Sequence, residues 1–388
     1  NGWATDQWKP TLYENTAPVP PSTRNGYILN ADLADHAIAW LQRVRSAAPD
    51  KPYLLYYATG ATHAPHQVGK DWIARFKGQF DGGWDAYREA AFARQKRLGV
   101  IPSHAVLTPR PESIPAWSSL SAETREIYAR EMEVFAAFSA ETDYEVNRVI
   151  QTARALPGGE NTMIIYIVGD NGASSEGGPS GRLSELGDAN GLADLNKITP
   201  DVLADLGGER FNNHMSYGWA WAVGAPFKYY KQTVSHLGAI RNPMIISWPD
   251  HISDNGLVRS QFLNVTDIGP TILAAAGLAM PSTYRGVPQK PLDGVNALSV
   301  IENGDAPAVR TRQYFEVFGN RGIYDNGWFA SAKLGNPWEA DRDSLDPSKV
   351  KWELYDLNSD FTQAHDLASS NPDKLKERAC TIADVEEA

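Results

Sequence analysis

The chain has 388 residues, of which 42% are apolar and 10% aromatic, enough to bury one large core and a smaller satellite domain. Its formal net charge of −11, without any long run of lysine or arginine, argues against nucleic acid as a partner. No apolar stretch approaches the roughly 20 residues that span a bilayer, and the single cysteine, Cys380, excludes an intrachain disulfide and a cysteine-based metal cluster.

The first segments of the chain predict a helix followed by a strand. Leu33, Ala37 and Leu41 recur at helical spacing within residues 30–45, which indicates an amphipathic helix. The apolar, aromatic run at 52–57 is bounded by proline and glycine and is typical of a strand buried on both faces.

Residues 69–117 are rich in glycine, proline, tryptophan and charge. They show only one helical patch, at 84–98, so we expect the whole segment to cover the surface. A long helix follows, with Ser121 as its N-cap and apolar residues at helical intervals until the turn at Pro157.

Two apolar runs in the middle of the chain predict the main sheet. Residues 162–168 form the strongest strand, β-branched and without polar alternation, which should lie at the centre of a sheet. Residues 244–248 predict a second buried strand, and a helix over 267–278 follows it. Strands separated by helices indicate an α/β layered domain.

The sequence changes after about residue 291 to alternating, aromatic-rich segments. The predicted strands there cover residues 313–317, 322–324, 328–332 and 352–355. Asn326-Gly327 is a strong hairpin signal because the tight turn needs positive φ, and a final helix starts at Pro372. We therefore divide the chain into an α/β domain over residues 1–290 and a C-terminal α+β subdomain over 291–388.

The sequence Gly169-Asp170-Asn171-Gly172 directly follows the strongest predicted strand. Ligands bind at the carboxyl ends of strands in open α/β sheets. Carboxylate and amide oxygens suit a hard cation such as calcium or magnesium. For these four residues alone, an Asx-type turn that caps a helix is the commoner interpretation.

Two further segments next to predicted strands carry histidine and lysine. His63 and His66 share a short loop, where a hydrogen-bonding or acid/base role for one of them is preferred to a metal pair. Lys231 and His236 precede the strand at 244–248. Taken alone they read as solvated side chains, whereas a lysine beside a cation site would suit an anionic group such as sulfate or phosphate.

Taken together and in this order, these segments resemble the type I sulfatases of the alkaline-phosphatase-like superfamily. The resemblance is closest to the arylsulfatase branch, at residues 61–66, 82–85, 169–174 and 231–248. It implies an α/β fold with a central mixed sheet flanked by helices, followed by a small C-terminal antiparallel sheet plus helix. It also implies a small-molecule sulfate ester as the substrate.

The resemblance assigns roles to particular residues. It implies a calcium ion with Asp170 and Asn171 among its ligands, and a lysine, matched by Lys231, that contacts the sulfate. The loop histidine of the family matches His63 in one alignment of the motif and His66 in another, so both are candidates. His236 lies in the segment that matches the lysine and is a further candidate for the catalytic set.

The nucleophile of the resembled family is formylglycine, made from the cysteine of a Cys-x-Pro-x-Arg motif. That motif is missing here, as are the paired aspartates that complete the calcium site, and Cys380 has neither the proline nor the arginine. We expect an N-terminally truncated chain with little sulfatase activity alone.

The alternatives are a phosphonate or phosphodiester hydrolase of the same superfamily, or a non-catalytic pseudo-sulfatase. The sequence does not identify the physiological substrate, the oligomeric state or the compartment.

Overall fold

The computed structural model describes residues 6–184, 187, 190–192, 196–254, 256–335, 346 and 349–386, and only the backbone from residue 380 onward. The α-helices are α1 (Leu29–Ala47), α2 (Lys70–Ala74), α3 (Gly83–Leu98), α4 (Ala122–Ala155), α5 (Tyr217–Val223), α6 (Leu237–Ile240), α7 (Ile268–Ala275), α8 (Leu298–Glu302) and α9 (Pro372–Glu386). The strands are β1 (Leu12–Glu14), β2 (Ala17–Val19), β3 (Ile164–Ile167), β4 (Met244–Ser247), β5 (Thr283–Tyr284), β6 (Val287–Pro288), β7 (Arg312–Val317), β8 (Asn320–Asp325), β9 (Trp328–Ala332) and β10 (Trp352–Asp356).

The long helix α4 is the main support of the fold. Its predicted N-cap is confirmed, because the Ser121 hydroxyl accepts a 3.0 Å hydrogen bond from the backbone N–H of Thr124. The predicted apolar face of α1 packs against it, with Ala37 and Leu41 buried beside Val149. The two helices thus pack into one layer, called the α1–α4 layer below.

The largest core contradicts the prediction that residues 69–117 cover the surface. Trp84 and Trp117 from this segment are 1% and 6% exposed, and both rings pack edge-on against Trp219 of α5. Tyr128 of α4 contacts the Trp84 ring from another side. The segment is polar on average, but its aromatic side chains are drawn inward because each buries a large apolar area.

The predicted strand at residues 52–57 is wrong as a paired strand. The residues alternate as in a strand, since Tyr53 and Leu55 pack on the α1–α4 layer while Leu54 and Tyr56 are 69% and 89% exposed. No β-ladder joins them to another strand within the described residues. An isolated segment can show the period of a strand, but its pairing depends on a neighbour.

The strands β3 and β4 form where they are predicted, and they pair antiparallel, with Ile164 opposite Ser247. Within the described part of the chain β3 pairs with β4 alone. The prediction that β3 lies at the centre of a sheet is therefore not confirmed. Ile245 of β4 is 57% exposed, so one face of this pair is open.

The C-terminal sheet has the strand order β10-β9-β8-β7, antiparallel throughout, as the alternating pattern predicts. Asn326 and Gly327 have φ of 51° and 86°, the positive values that a tight hairpin requires. Asp267, which is fully buried, accepts hydrogen bonds from Arg310 and joins the segment before α7 to the segment before β7. The fold is mixed α/β with a small C-terminal antiparallel sheet, as predicted, while the domain boundary near residue 290 stays a prediction.

Across the described ranges, no helix has both the length and the apolar character needed to cross a bilayer.

Candidate functional site

Three side chains from distant parts of the sequence meet next to β3. The Lys231 Nζ lies 2.8 Å from Glu176 Oε2 and 3.2 Å from His63 Nε2. His63 Nε2 lies 3.9 Å from the same carboxylate oxygen. The lysine side chain is 15% exposed, against 28% for Glu176 and 36% for His63, so the cluster opens to solvent on the histidine side.

The hydrogen bonds fix the proton positions of His63 and Lys231. His63 Nδ1 lies 2.9 Å from the carbonyl oxygen of Ala64, which can only accept, so Nδ1 carries the ring proton. The lone pair of Nε2 then faces Lys231, whose ammonium donates to it. Lys231 uses two of its three N–H groups in this way, and no further acceptor contacts Nζ among the described residues.

Glu176 is the acceptor that connects the cluster. Besides Lys231, it accepts hydrogen bonds from Gln232 Nε2 at 2.8 Å and contacts the Ser174 hydroxyl at 2.9 Å. Burial raises the pKa of the Glu176 carboxyl, but the hydrogen bond and charge of Lys231, helped by Ser174, outweigh it and hold the pKa below its ordinary value. Glu176 is therefore a carboxylate at neutral pH.

The backbone places Lys231 beside the loop that follows β3. The backbone N–H of Lys231 donates a 3.0 Å hydrogen bond to the Ala173 carbonyl. Gly172, at φ 81°, passes so close to α6 that a Cβ would lie 2.3 Å from the Gly238 carbonyl oxygen. The neighbouring Gln232 has a φ of 73°, which is uncommon for a side chain other than glycine. A side chain at Gly172 would therefore force α6 or the loop that contacts Lys231 to move.

Behind Glu176 lie two buried histidines. His214 donates from Nδ1 to the Met215 carbonyl at 3.0 Å, and its Nε2 lies 3.0 Å from Ser174 Oγ. The Ser174 hydroxyl stands between His214 and Glu176, so its single proton serves one of the two. Burial lowers the pKa of His214 to about 4, and burial together with His214 and His63 lowers the pKa of His66 well below its ordinary value.

The structure separates the two loop histidines that the sequence left open. His63 contacts Lys231, whereas His66 is 2% exposed and its ring packs against His214 and Phe135. The geometry therefore makes His63, and not His66, the histidine that acts beside Lys231. His66 instead packs behind the cluster, against His214 and Phe135.

His236, a further candidate from the sequence, is 1% exposed, and its ring nitrogens contact Ser235 and Glu353. Its Nε2 lies 3.1 Å from Glu353 Oε2, and Ser235 Oγ lies 3.0 Å from its Nδ1. Burial lowers the pKa of His236, so the neutral ring donates Nε2–H to Glu353. His236 lines a separate pocket, whose other lining residues include Lys333 and Lys351.

Asp170 and Asn171 lie at the end of β3 and are both exposed. Their side chains carry oxygen donors of the kind that a hard cation takes. Calcium needs about six to eight oxygens, and no cluster of three or more histidine, cysteine, aspartate or glutamate side chains is found in the described ranges. The pair alone therefore offers only part of the donor set that calcium needs.

Two residues of the cluster were missed by the sequence reasoning. Glu176 lies only six residues beyond Asp170, and its position just after a strand-end loop was a signal that could have found it. His214, in the polar sequence Asn212-Asn213-His214, gave no comparable signal because its contact with Ser174 spans 40 residues.

The fold and this cluster define an α/β protein with a lysine, a histidine and a hard-cation donor pair near one strand end. A profile of the sulfatase family matches residues 1–278. The chain therefore belongs to the sulfatase family, whose members are sulfuric ester hydrolases.

Two relatives agree with this. The chain is 29% identical to an uncharacterized sulfatase of Schizosaccharomyces pombe over 95% of its own length and 66% of the relative. It is 28% identical to an arylsulfatase of Klebsiella aerogenes over 66% of its own length and 53% of that protein. The chain thus spans about two thirds and about half of the lengths of these relatives.

Solved structures show the same fold. A protein in complex with its substrate D-glucosamine-2-N,6-O-disulfate matches with a TM-score of 0.56 at 16% identity, over 98% of this chain and 73% of that one. A phosphonate monoester hydrolase of Agrobacterium radiobacter matches with a TM-score of 0.50 at 17% identity, over 95% and 62%. At these identities the likeness concerns the fold alone.

Proposed function

We propose that this chain carries the ester-binding and leaving-group side of an arylsulfatase site, with Lys231 as the residue that contacts the sulfate ester and His63 as the residue that positions Lys231. The observation that carries the proposal is the 3.2 Å contact between Lys231 Nζ and His63 Nε2. It is supported by membership of the sulfatase family and by the arylsulfatase relative.

The chemistry of the ester explains why these groups are useful. Hydrolysis breaks the bond between sulfur and the ester oxygen, and that oxygen departs with a negative charge. The remaining N–H of Lys231 donates to the ester, first to a sulfate oxygen and then to the departing oxygen. His63, neutral and partly exposed, orients the ammonium from the solvent side.

A cation would complete the charge balance at this end of the sheet. We propose that Asp170 and Asn171 contribute oxygen ligands to a calcium ion, which when bound would neutralise charge on the sulfate. No Cys-x-Pro-x-Arg sequence, the source of the formylglycine nucleophile in the resembled family, is present in this chain. The chain alone is therefore proposed to turn over little substrate.

The second candidate function is hydrolysis of phosphonate monoesters or phosphodiesters, which the phosphonate monoester hydrolase of the same fold favours. Lys231 suits a tetrahedral phosphorus anion as well as sulfate. A non-catalytic anion-binding protein would need the same lysine but no leaving-group chemistry.

Paired assays separate these functions. The 388-residue chain and the polypeptide encoded by the complete parental reading frame are compared on p-nitrophenyl sulfate, an aryl phosphonate monoester and an aryl phosphodiester. We expect the sulfate to be turned over fastest, and only by the longer form. Turnover of the aryl sulfate by the chain alone would refute the missing nucleophile, and a preference for either phosphorus ester would favour the alternative.

A further inference from the structure

The charges of the cluster around Lys231 sum to zero, although the cluster is proposed to bind an anion. Lys231 contributes one positive charge and Glu176, 2.8 Å away, one negative charge. His63 and His214 each hold one ring proton, at Nδ1, and are neutral. The charged and titratable groups that face Glu176 are thus Lys231, His63 and, through Ser174, His214. Their sum leaves the cluster with no net charge at neutral pH.

Candidate substrates differ in charge more than in shape. A sulfate monoester, a phosphonate monoester and a phosphodiester each carry one negative charge, whereas a phosphate monoester carries nearly two above its second pKa of about 6. An anion that binds Lys231 also lies close to the Glu176 carboxylate, which repels it. Both this repulsion and the attraction by Lys231 are about twice as strong for a doubly charged ligand as for a singly charged one of the same size. Because the two charges offset each other, the second ligand charge gains little at this site, while the doubly charged ion loses more hydration on binding.

We propose that Glu176 is a specificity-determining residue that makes the Lys231 site select singly charged tetrahedral esters over doubly charged phosphate monoesters. This rests on the proposed function, since it requires that Lys231 binds the ester. Glu176 acts through charge and by positioning Lys231, and it needs no contact with the substrate.

The contacts of Glu176 allow its charge to be removed without dismantling the cluster. In Glu176→Gln the amide oxygen can still accept from Lys231 and lie against Ser174. The amide nitrogen then faces Gln232, whose own amide can turn to present its oxygen. The exposed Glu89 of α3, which has no described partner, supplies a matched control in Glu89→Gln.

The test measures the affinities of methyl sulfate and methyl phosphate by NMR titration at pH 8 with a chelator present. These two ligands have the same shape and differ by one charge. The unmodified chain, Glu176→Gln, Glu89→Gln and Lys231→Met are compared. We expect the unmodified chain and Glu89→Gln to prefer methyl sulfate. In Glu176→Gln methyl phosphate should gain about three- to ten-fold relative to methyl sulfate, and neither ligand should bind more weakly than before.

The outcomes distinguish this inference from the function on which it rests. If Lys231→Met loses both ligands and Glu176→Gln keeps the original ratio, the specificity role is wrong and the anion site stands. Equal weakening of both ligands in Glu176→Gln would show a purely structural role and also overturns the inference. If Lys231→Met binds both as well as the unmodified chain, or the unmodified chain binds neither, the proposed function itself fails.

Discussion

Lys231 donates a 3.2 Å hydrogen bond to Nε2 of His63, across 168 residues of sequence. This contact selects one of two histidines that lie three residues apart in the same loop. It also leaves one N–H group of the Lys231 ammonium for a ligand, because Glu176 accepts only one of the other two.

Substitution of the two loop histidines should separate binding from stability. We expect His63→Gln to weaken methyl sulfate binding several-fold with little change in the free energy of unfolding, because the ring is partly exposed. His66→Gln should lower that free energy by about 1–3 kcal/mol, because the ring is buried against His214 and Phe135. NMR titration and urea unfolding measure the two effects. If His66→Gln instead weakened binding and His63→Gln lowered the free energy of unfolding, the role beside Lys231 would belong to His66.

Calcium should strengthen anion binding through Asp170. Asp170 is exposed at the end of β3, on the loop whose Ala173 carbonyl accepts from the backbone of Lys231. We expect calcium at millimolar concentration to tighten methyl sulfate binding, and Asp170→Asn to remove the calcium effect while binding in a chelator is unchanged. The equally exposed Asp50 gives the control Asp50→Asn. An unchanged calcium effect in Asp170→Asn would place the cation elsewhere.

Two buried groups should give opposite slopes of stability with pH. Burial raises the pKa of Glu141 from 4.5 to about 7, so its contribution to stability is full below pH 4.5 and is lost as pH rises to about 7. Burial lowers the pKa of His214 from 6.5 to about 4, so its contribution is full above pH 6.5 and is lost as pH falls to about 4.

Single substitutions isolate the two slopes. Relative to the unmodified chain, Glu141→Gln should gain up to about 3 kcal/mol as pH rises from 4.5 to 7, and His214→Gln a similar amount as pH falls from 6.5 to 4. Urea unfolding at a series of pH values measures both, with Glu89→Gln as a control that shows no such change. Parallel curves for all four proteins would show that neither group titrates abnormally.

Two helical glycines should respond differently to alanine. A Cβ on Gly218 of α5 would lie 2.5 Å from the Trp84 ring, whereas one on Gly269 of α7 meets no atom within 4 Å. Gly218→Ala should therefore destabilise by about 1–3 kcal/mol through overpacking. Gly269→Ala should be neutral or stabilising by up to about 1 kcal/mol, since alanine is the better helix former. Thermal unfolding compares them, and equal shifts would mean that the tryptophan core can expand.

Local patterns predicted the elements that local forces determine. The N-cap at Ser121 and the hairpin at Asn326-Gly327 formed as predicted, because a cap and a tight turn depend on residues a few positions apart. The strand at 52–57 and the central position of β3 were not confirmed, because pairing depends on a second segment. Trp84 and Trp117 formed a core where average polarity predicted surface.

The candidate site was predicted in part for the same reason. Asp170, Lys231 and the pair His63 and His66 could be named from their place beside predicted strands. The choice of His63 and the role of Glu176 could not, since both depend on contacts with Lys231 across 168 and 55 residues. Such contacts form only when the fold brings the loops together.

A crystal of this chain soaked in tungstate, a tetrahedral anion with strong anomalous scattering, tests the central claim most directly. We predict an anomalous peak in hydrogen-bond contact with Lys231 Nζ and beside His63, which disappears in Lys231→Met. A peak that lies instead beside Lys333 and Lys351 in the pocket of His236, and that persists in Lys231→Met, would contradict the account.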